Sequence, residues 1–327
     1  MKRLLSLLLA GAMLLGVLCG CSAPSRQEEG GLSVVATIFP QYDFARQVMG
    51  GSDHLTMLLR PGQEVHSYEP TPQDIIAIQN CDLFIYVGGE SDSWIDDVLE
   101  GMDTSHMVIL SLMDLVEPLE EDTENILENP QDHDHEEDGH AQEEEGTHLS
   151  GEEYDEHVWT SPQNAMLISQ AICDALCEID GANAETYREN TAAYLEELEQ
   201  LDGAFRDVID NAGRDTLIFG DRFPLLYFVR EYGLNYFAAF PGCASETEPS
   251  AATVARLTDL VREEQIPIVY QIELSNGNIA RSIADSSAAR VETFYTCHNI
   301  TRDDFDAGES YLSLMYRNVD SLKEALN

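Results

Sequence analysis

Seventeen Lys and Arg stand against 61 Asp and Glu in this chain of 327 residues, a formal net charge of -44, and its only lysines are Lys2 and Lys323. Such a surface repels phosphate backbones and anionic headgroups, which excludes nucleic-acid binding and suits the collection of cations. With 43% apolar and 24% charged residues the chain carries enough core to fold, and its length suits two domains.

The chain opens on the basic Met1-Lys2-Arg3 and an apolar run from Leu4 to Leu18, too short for a comfortable bilayer span. Leu18-Cys19-Gly20-Cys21 ends the run with a small residue before Cys, which resembles the lipobox of bacterial lipoproteins. That resemblance implies a signal peptide over residues 1–20 and a lipid on Cys21, followed by a polar tether over residues 21–31. It places the protein on the extracytoplasmic side of the cell membrane, held there by its anchor. Among the other cysteines no Cys-x-x-Cys pair occurs, which leaves a zinc ribbon or thioredoxin-type site unsupported. Cys173 and Cys177 read as buried thiols on one helix, and a pairing of Cys243 with Cys297 stays open.

Leu32 to Ile38 is a β-branched run and reads as a strand, broken at Phe39-Pro40. A helix over Tyr42 to Met49 closes at Gly50-Gly51. A strand over Leu55 to Leu59 follows, then a helix opened by Thr71-Pro72 and running to about Asn80. Strands at Asp82 to Val87 and Met107 to Leu112 flank a short helix at Trp94 to Leu99. Strands alternating with helices predict parallel βαβ units. From Glu117 to His157 there are eighteen Asp or Glu, five His and no Lys or Arg, a composition that predicts a solvated, mobile loop.

Order returns at Ser161-Pro162, which starts a helix stopping at Gly181. Tyr187, Thr191, Tyr194, Leu198, Leu201, Phe205 and Val208 then form one apolar stripe at alternating spacings of four and three. That is a helix of about 28 residues, roughly 42 Å long at 1.5 Å per residue, enough to cross a domain. Beyond Gly213 the alternation resumes, with strands at Leu217 to Phe219, Tyr236 to Phe240, Ile268 to Ile272 and Val291 to Tyr295. Helices are predicted over Leu225 to Tyr232, Ser250 to about Glu264, Asn278 to Ser287 and Tyr311 to Leu326. The fold class is α/β: an N-terminal lobe over residues 32–181 carrying the acidic loop 117–157, a linking helix over 182–213, and a C-terminal lobe over 214–327.

The candidate chemistry lies in histidines and carboxylates next to strand ends, where ligands bind in open α/β sheets. His66 follows one strand and precedes a helix, and His157 stands just before another helix. Asp221, Glu273 and His298 follow the strands ending at Phe219, Ile272 and Tyr295. Imidazole with carboxylate suits Zn²⁺, with Mn²⁺ as the harder alternative. Taken singly, each of the five reads equally well as a surface histidine or a helix-capping carboxylate. His133, His135, His140 and His148 lie in the acidic loop, where Asp-His-Asp-His at residues 132–135 reads either as plain solvated charge or as a weak metal-collecting arm.

The string P-G-x-x-x-H-x-Y-E-P at Pro61 to Pro70, an acidic insertion bearing histidines, and D-x-H-x-W-x-S-P at Asp155 to Pro162 together resemble the solute-binding lipoproteins of zinc and manganese ABC importers. The likeness continues through Asp221 to Leu234, Glu246 to Ser250 and Tyr311 to Leu326. It implies two (β/α) lobes with parallel sheets, joined by a single long rigid helix, with a metal in the cleft between them. It implies His66 and His157 as first-lobe ligands. The family's third ligand position falls at Gly220, which has no side chain, so the neighbouring Asp221 is the expected substitute. The fourth falls near Thr296, with His298 two residues on. The expected set is His66, His157, Asp221 and His298, with Glu273 in reserve. Histidine-bearing insertions in this family go with zinc more than with manganese, so the expected cargo is Zn²⁺, with Mn²⁺ as the alternative. The expected partners are the membrane permease and ATPase of an ABC importer, and the chain is expected to act as a monomer.

Two other functional classes compete with this reading. A zinc hydrolase needs an open metal position and a general base, as in H-E-x-x-H, and no such string occurs. A surface adhesin or zinc-storage protein would bind metal without delivering it. No enzymatic activity is expected.

Overall fold

The computed structural model describes residues 31–63, 68–121, 154–242 and 249–327. Every element below lies within Ser33–Asn327, which forms one compact unit.

The first sheet contains β1 (Val34–Ala36), β2 (Leu55–Met57), β3 (Leu83–Tyr86) and β4 (Val108–Ser111), all parallel in the order β2-β1-β3-β4. The central strands β1 and β3 are continuous apolar runs, buried because the interior of a parallel sheet is covered on both faces by its crossover helices. The helices are α1 (Phe39–Met49), α2 (Pro72–Gln79) and α3 (Ser93–Glu100). Phe39-Pro40 lies past the end of β1, as expected, and also opens α1, ahead of the expected helix start at Tyr42. A proline in the first helical turn lacks only an N–H that would have no partner there anyway. The helix closes at Gly50, whose φ of 73° is left-handed. Thr71 and Asp74 cap α2 reciprocally. Val35, Leu58, Ile78, Phe84 and Ile95 fill the core on one side of this sheet.

The stretch expected to be a solvated loop over residues 117–157 is ordered at both ends. Glu120 and Tyr154 form an antiparallel bridge, and Asp155, Glu156 and His157 are buried. The loop histidines His133, His135, His140 and His148 lie outside the described residues, as do Cys21, His66 and Cys243.

Ser161 caps α4 (Pro162–Ile179), accepting from the Asn164 N–H at 3.1 Å. A short turn leads into α5 (Ala184–Asp210), the linking helix. Tyr187, Thr191, Tyr194, Leu198, Leu201, Phe205 and Val208 are all buried along one side of α5, as the stripe predicts. Cys173 and Cys177 are free thiols, their sulfurs 3.9 Å apart.

The second sheet has β5 (Thr216–Phe223), β6 (Asn235–Pro241), β7 (Ile268–Ile272) and β8 (Arg290–Phe294), again all parallel, in the order β6-β5-β7-β8. This is the strand order of the first sheet repeated, so the halves share a topology that their residues do not show. Helices α6 (Leu226–Tyr232), α7 (Ala251–Glu263) and α8 (Asn278–Asp285) cover it, followed by the short α9 (Arg302–Asp306) and the closing α10 (Tyr311–Ala325). β5 runs four residues past its expected end at Phe219, with a register shift against β6 between Phe219 and Arg222. Asp221 is therefore inside a strand, at an irregularity, rather than after one.

The lobes are pinned together. The N–H of Tyr311, the first residue of α10, donates to the buried Asp43 carboxylate of α1 at 2.8 Å, and the Phe44 and Tyr311 rings meet edge to face at 5.0 Å. Among the described residues no helix is long and apolar enough to cross a membrane.

Candidate metal centre

His157 lies at the entry to a 3₁₀ turn, Val158–Thr160, just before α4. The Asp155 N–H donates to the Leu119 carbonyl at 2.9 Å, which fixes the incoming strand of chain. From the other lobe the Tyr227 hydroxyl donates to the Asp155 carbonyl at 3.1 Å and accepts from the Leu119 N–H at 3.0 Å. The Thr160 hydroxyl donates to the His157 carbonyl at 2.7 Å. The backbone around His157 thus has little freedom.

The imidazole is equally constrained. His157 is 1% exposed, and its Nδ1 lies 3.2 Å from Asp155 Oδ1. A carboxylate at Nδ1 keeps the proton there and leaves Nε2 as the basic, lone-pair nitrogen. That Nε2 is buried and has no hydrogen-bond partner. A buried polar atom without a partner is costly unless something else fills the position.

His298 comes from the end of the other sheet. Beyond β8 the chain turns through Thr296, Cys297 and His298, with Cys297 held at a left-handed φ of 59°. Cys297 is buried and points its thiol into the core, where burial pushes it well above the ordinary thiol range. The His298 ring meets the His157 ring edge to face, centroids 4.8 Å apart at 87°. Trp159 packs against both imidazoles, at 5.5 Å from His157 and 5.1 Å from His298. Its indole N–H donates to the Thr296 carbonyl at 2.9 Å, locking the two turns together. The structure therefore brings together two of the expected ligands, one from each lobe.

The chain leading to His66 arrives at the same place. The Asn299 side-chain amide donates to the Gln63 carbonyl at 2.6 Å and the Arg60 carbonyl at 3.3 Å. The Gly62 N–H donates to the Ile300 carbonyl at 2.8 Å. Arg60 to Gln63 is thus stitched to the residues that follow His298. His66 itself lies outside the described residues.

The two carboxylate candidates are both buried and already hydrogen-bonded. Asp221 accepts from the N–H of Arg222 at 2.9 Å and of Ile272 at 3.3 Å. Burial pushes its carboxyl up, against the lowering effect of those bonds and one from Ser275. Glu273 accepts from Thr296 and His298, and burial likewise raises its carboxyl. A cavity of about 30 Å³ opens beside Glu273 and His298, with Gln63 and Arg222 also on its wall. Among the described residues no three His, Cys, Asp or Glu side chains converge as a metal site.

Gly220 explains its own lack of a side chain. A Cβ there would fall 2.5 Å from the Ala280 Cα of α8. This position faces the covering helix rather than the cleft, so the fold requires glycine for close packing. Tyr227 carries no sequence signal, whereas Asp155 and Trp159 stand in the D-x-H-x-W string without being singled out, although D-x-H places a carboxylate within reach of the imidazole two residues on.

A family model described as zinc-uptake complex component A, periplasmic, matches residues 34–325. The zinc-binding lipoprotein AdcA of Streptococcus pneumoniae strain R6 is 31% identical over 326 residues, covering 99% of this chain and 61% of that protein. The high-affinity zinc uptake system protein ZnuA of Bacillus subtilis is 30% identical over 329 residues, covering 97% of this chain and 96% of ZnuA. This chain thus spans about three fifths of the AdcA relative and nearly the whole of the ZnuA one. The crystal structure of the Zn(II)-bound ZnuA-like domain of S. pneumoniae AdcA superposes with a TM-score of 0.71 at 27% identity, covering 91% of this chain and 99% of that domain. With a match across both lobes and the linking helix, the chain belongs to the zinc-uptake complex component A family.

Proposed function

We propose that this protein captures Zn²⁺ outside the cytoplasm and delivers it to the permease and ATPase of an ABC importer. The observation that carries the reading is the His157 Nε2: buried, without a partner, its ring fixed by Asp155 and set edge to face against His298. Two imidazoles from opposite lobes offer nitrogen donors of the kind an ordinary zinc site uses. His66 is the third ligand in this reading, supported by its motif and by the stitching of Arg60 to Gln63 beside His298. Asp221 remains the proposed fourth. An imidazole-rich set favours zinc over manganese, which prefers oxygen. The names of the AdcA and ZnuA relatives support the same cargo.

The metal is cargo, so the protein's task is to bind and release it rather than to transform a substrate. Titration by calorimetry, with a competing chelator, should find one tight Zn²⁺ per chain and weaker Mn²⁺. His157→Ala and His298→Ala should each weaken zinc by about tenfold or more, the size expected for losing a direct ligand. Unchanged affinity in either variant removes that residue from the site, and tighter Mn²⁺ than Zn²⁺ overturns the cargo. Anchoring through Cys21 is part of the proposal. Cys21→Ser should leave the membrane fraction or remain unprocessed, and normal processing and fractionation would refute the lipid anchor.

A further inference from the structure

The geometry points to Glu273 as a positioning residue that shapes the His298 turn around its carboxylate, rather than as a metal ligand. Glu273 is the first residue beyond β7, and it reaches sideways beneath the end of the neighbouring β8. Its Oε2 accepts from the Thr296 N–H at 2.8 Å. Its Oε1 accepts from the Thr296 hydroxyl at 2.6 Å and the His298 N–H at 3.0 Å. Both oxygens are therefore engaged by the short segment that carries His298.

The reason lies in the backbone. Beyond Phe294 the strand has ended, so the N–H groups of Thr296 and His298 have no ladder partner. Buried amides without acceptors are costly. Cys297 between them is left-handed, which turns the flanking N–H groups toward one side, as in an anion-binding nest. Here the anion is the protein's own. Leu274, directly after Glu273, is also left-handed at a φ of 62°, so the two facing turns are shaped together. The same Thr296 offers its carbonyl to the Trp159 indole, and Trp159 packs on both imidazoles. Glu273 thus sets the direction of His298 from behind, while Trp159 sets its distance from His157.

This rests on the reading that His298 binds the metal, and a double-mutant cycle separates the two. In the parent, Glu273→Gln replaces one acceptor oxygen with a donor facing backbone N–H groups. Zinc affinity should fall by about 10–100-fold, the range for losing an outer partner of a ligating histidine. In a His298→Ala background the same substitution should change affinity by less than about threefold, because the residue it acts through is gone. In a His157→Ala background its cost should persist. Additive losses of Glu273→Gln and His298→Ala would make Glu273 a ligand in its own right and overturn the proposal. A lower melting temperature with unchanged zinc affinity would also overturn it, leaving Glu273 merely structural. If His298→Ala binds zinc like the parent, it is the metal reading at His298 that fails. Should Glu273→Gln not fold, Thr296→Val removes the hydroxyl donor without changing shape, and the same cycle with His298→Ala is expected to give the same dependence.

Discussion

Asp155 Oδ1 takes two hydrogen bonds from a single residue, His157: one from its backbone N–H at 2.8 Å and one from its ring Nδ1 at 3.2 Å. One oxygen thereby fixes both the turn and the imbalance between the two ring nitrogens. Asp155→Asn keeps a single acceptor and puts a donor in place of the other oxygen. Zinc affinity should fall by about 10–100-fold with the fold intact, as read by chelator competition and circular dichroism. Parent-like affinity would mean that the Asp155 link does not tune the ligand.

Trp159 touches both imidazoles, so its emission should report on the centre. Zn²⁺ should change tryptophan fluorescence in the parent, and Trp159→Phe should abolish most of that change, leaving Trp94 as a silent background. A full-size zinc response in Trp159→Phe would place the bound metal away from these two rings.

Asp92 accepts from the N–H groups of Val87 and Gly88, yet burial, with the Glu156 carboxylate adding to it, pushes its carboxyl up to about 6. Between about pH 4 and pH 6 the folded protein holds a proton that the unfolded chain releases, so stability falls as pH rises through that window. The cost is complete above about pH 6 and amounts to roughly 3 kcal/mol, taking 1.36 kcal/mol for each of about two pH units. Asp92→Asn should melt higher than the parent near neutral pH, with the gap closing toward about pH 4. A gap independent of pH would contradict this account.

Gly220→Ala should destabilise the second lobe, because its Cβ would meet the Ala280 Cα at 2.5 Å and the Ala280 nitrogen at 2.7 Å. Those are backbone atoms, so a whole helix must shift, at about 1–3 kcal/mol for an overpacked site. Urea melts should show a lower midpoint at an unchanged slope. An unchanged midpoint would show that α8 gives way freely.

Residues 122–150 should be dispensable for tight binding. Removing them while keeping the Glu120–Tyr154 bridge leaves the Asp155 anchor on Leu119 in place. Solvated charges are screened beyond about 8–10 Å, so the arm should alter capture rate more than final affinity. Titration should lose weak sites and retain one tight zinc, and loss of the tight site would overturn the prediction.

The stripe from Tyr187 to Val208 was legible because helical periodicity is a local property, and every residue in it is buried along α5. The caps at Thr71 and Ser161 were legible for the same reason, since side chain and N–H partner lie three residues apart. The motifs around His66 and His157 pointed to the family. The short α9 carried too little pattern to be seen, and the shared topology of the two sheets left no trace in residue identity. The carboxylates were where reading along the chain stopped. In the sequence Asp221 and Glu273 both follow predicted strands and look alike as ligands. Only the folded chain shows Asp221 inside β5, taken up by the Arg222 and Ile272 amides, and Glu273 beneath Thr296 and His298. A carboxylate's role depends on which N–H groups lie beside it, and those of Ile272, Thr296 and His298 come from β7 and from the turn beyond β8, brought alongside by strand pairing that no local pattern encodes.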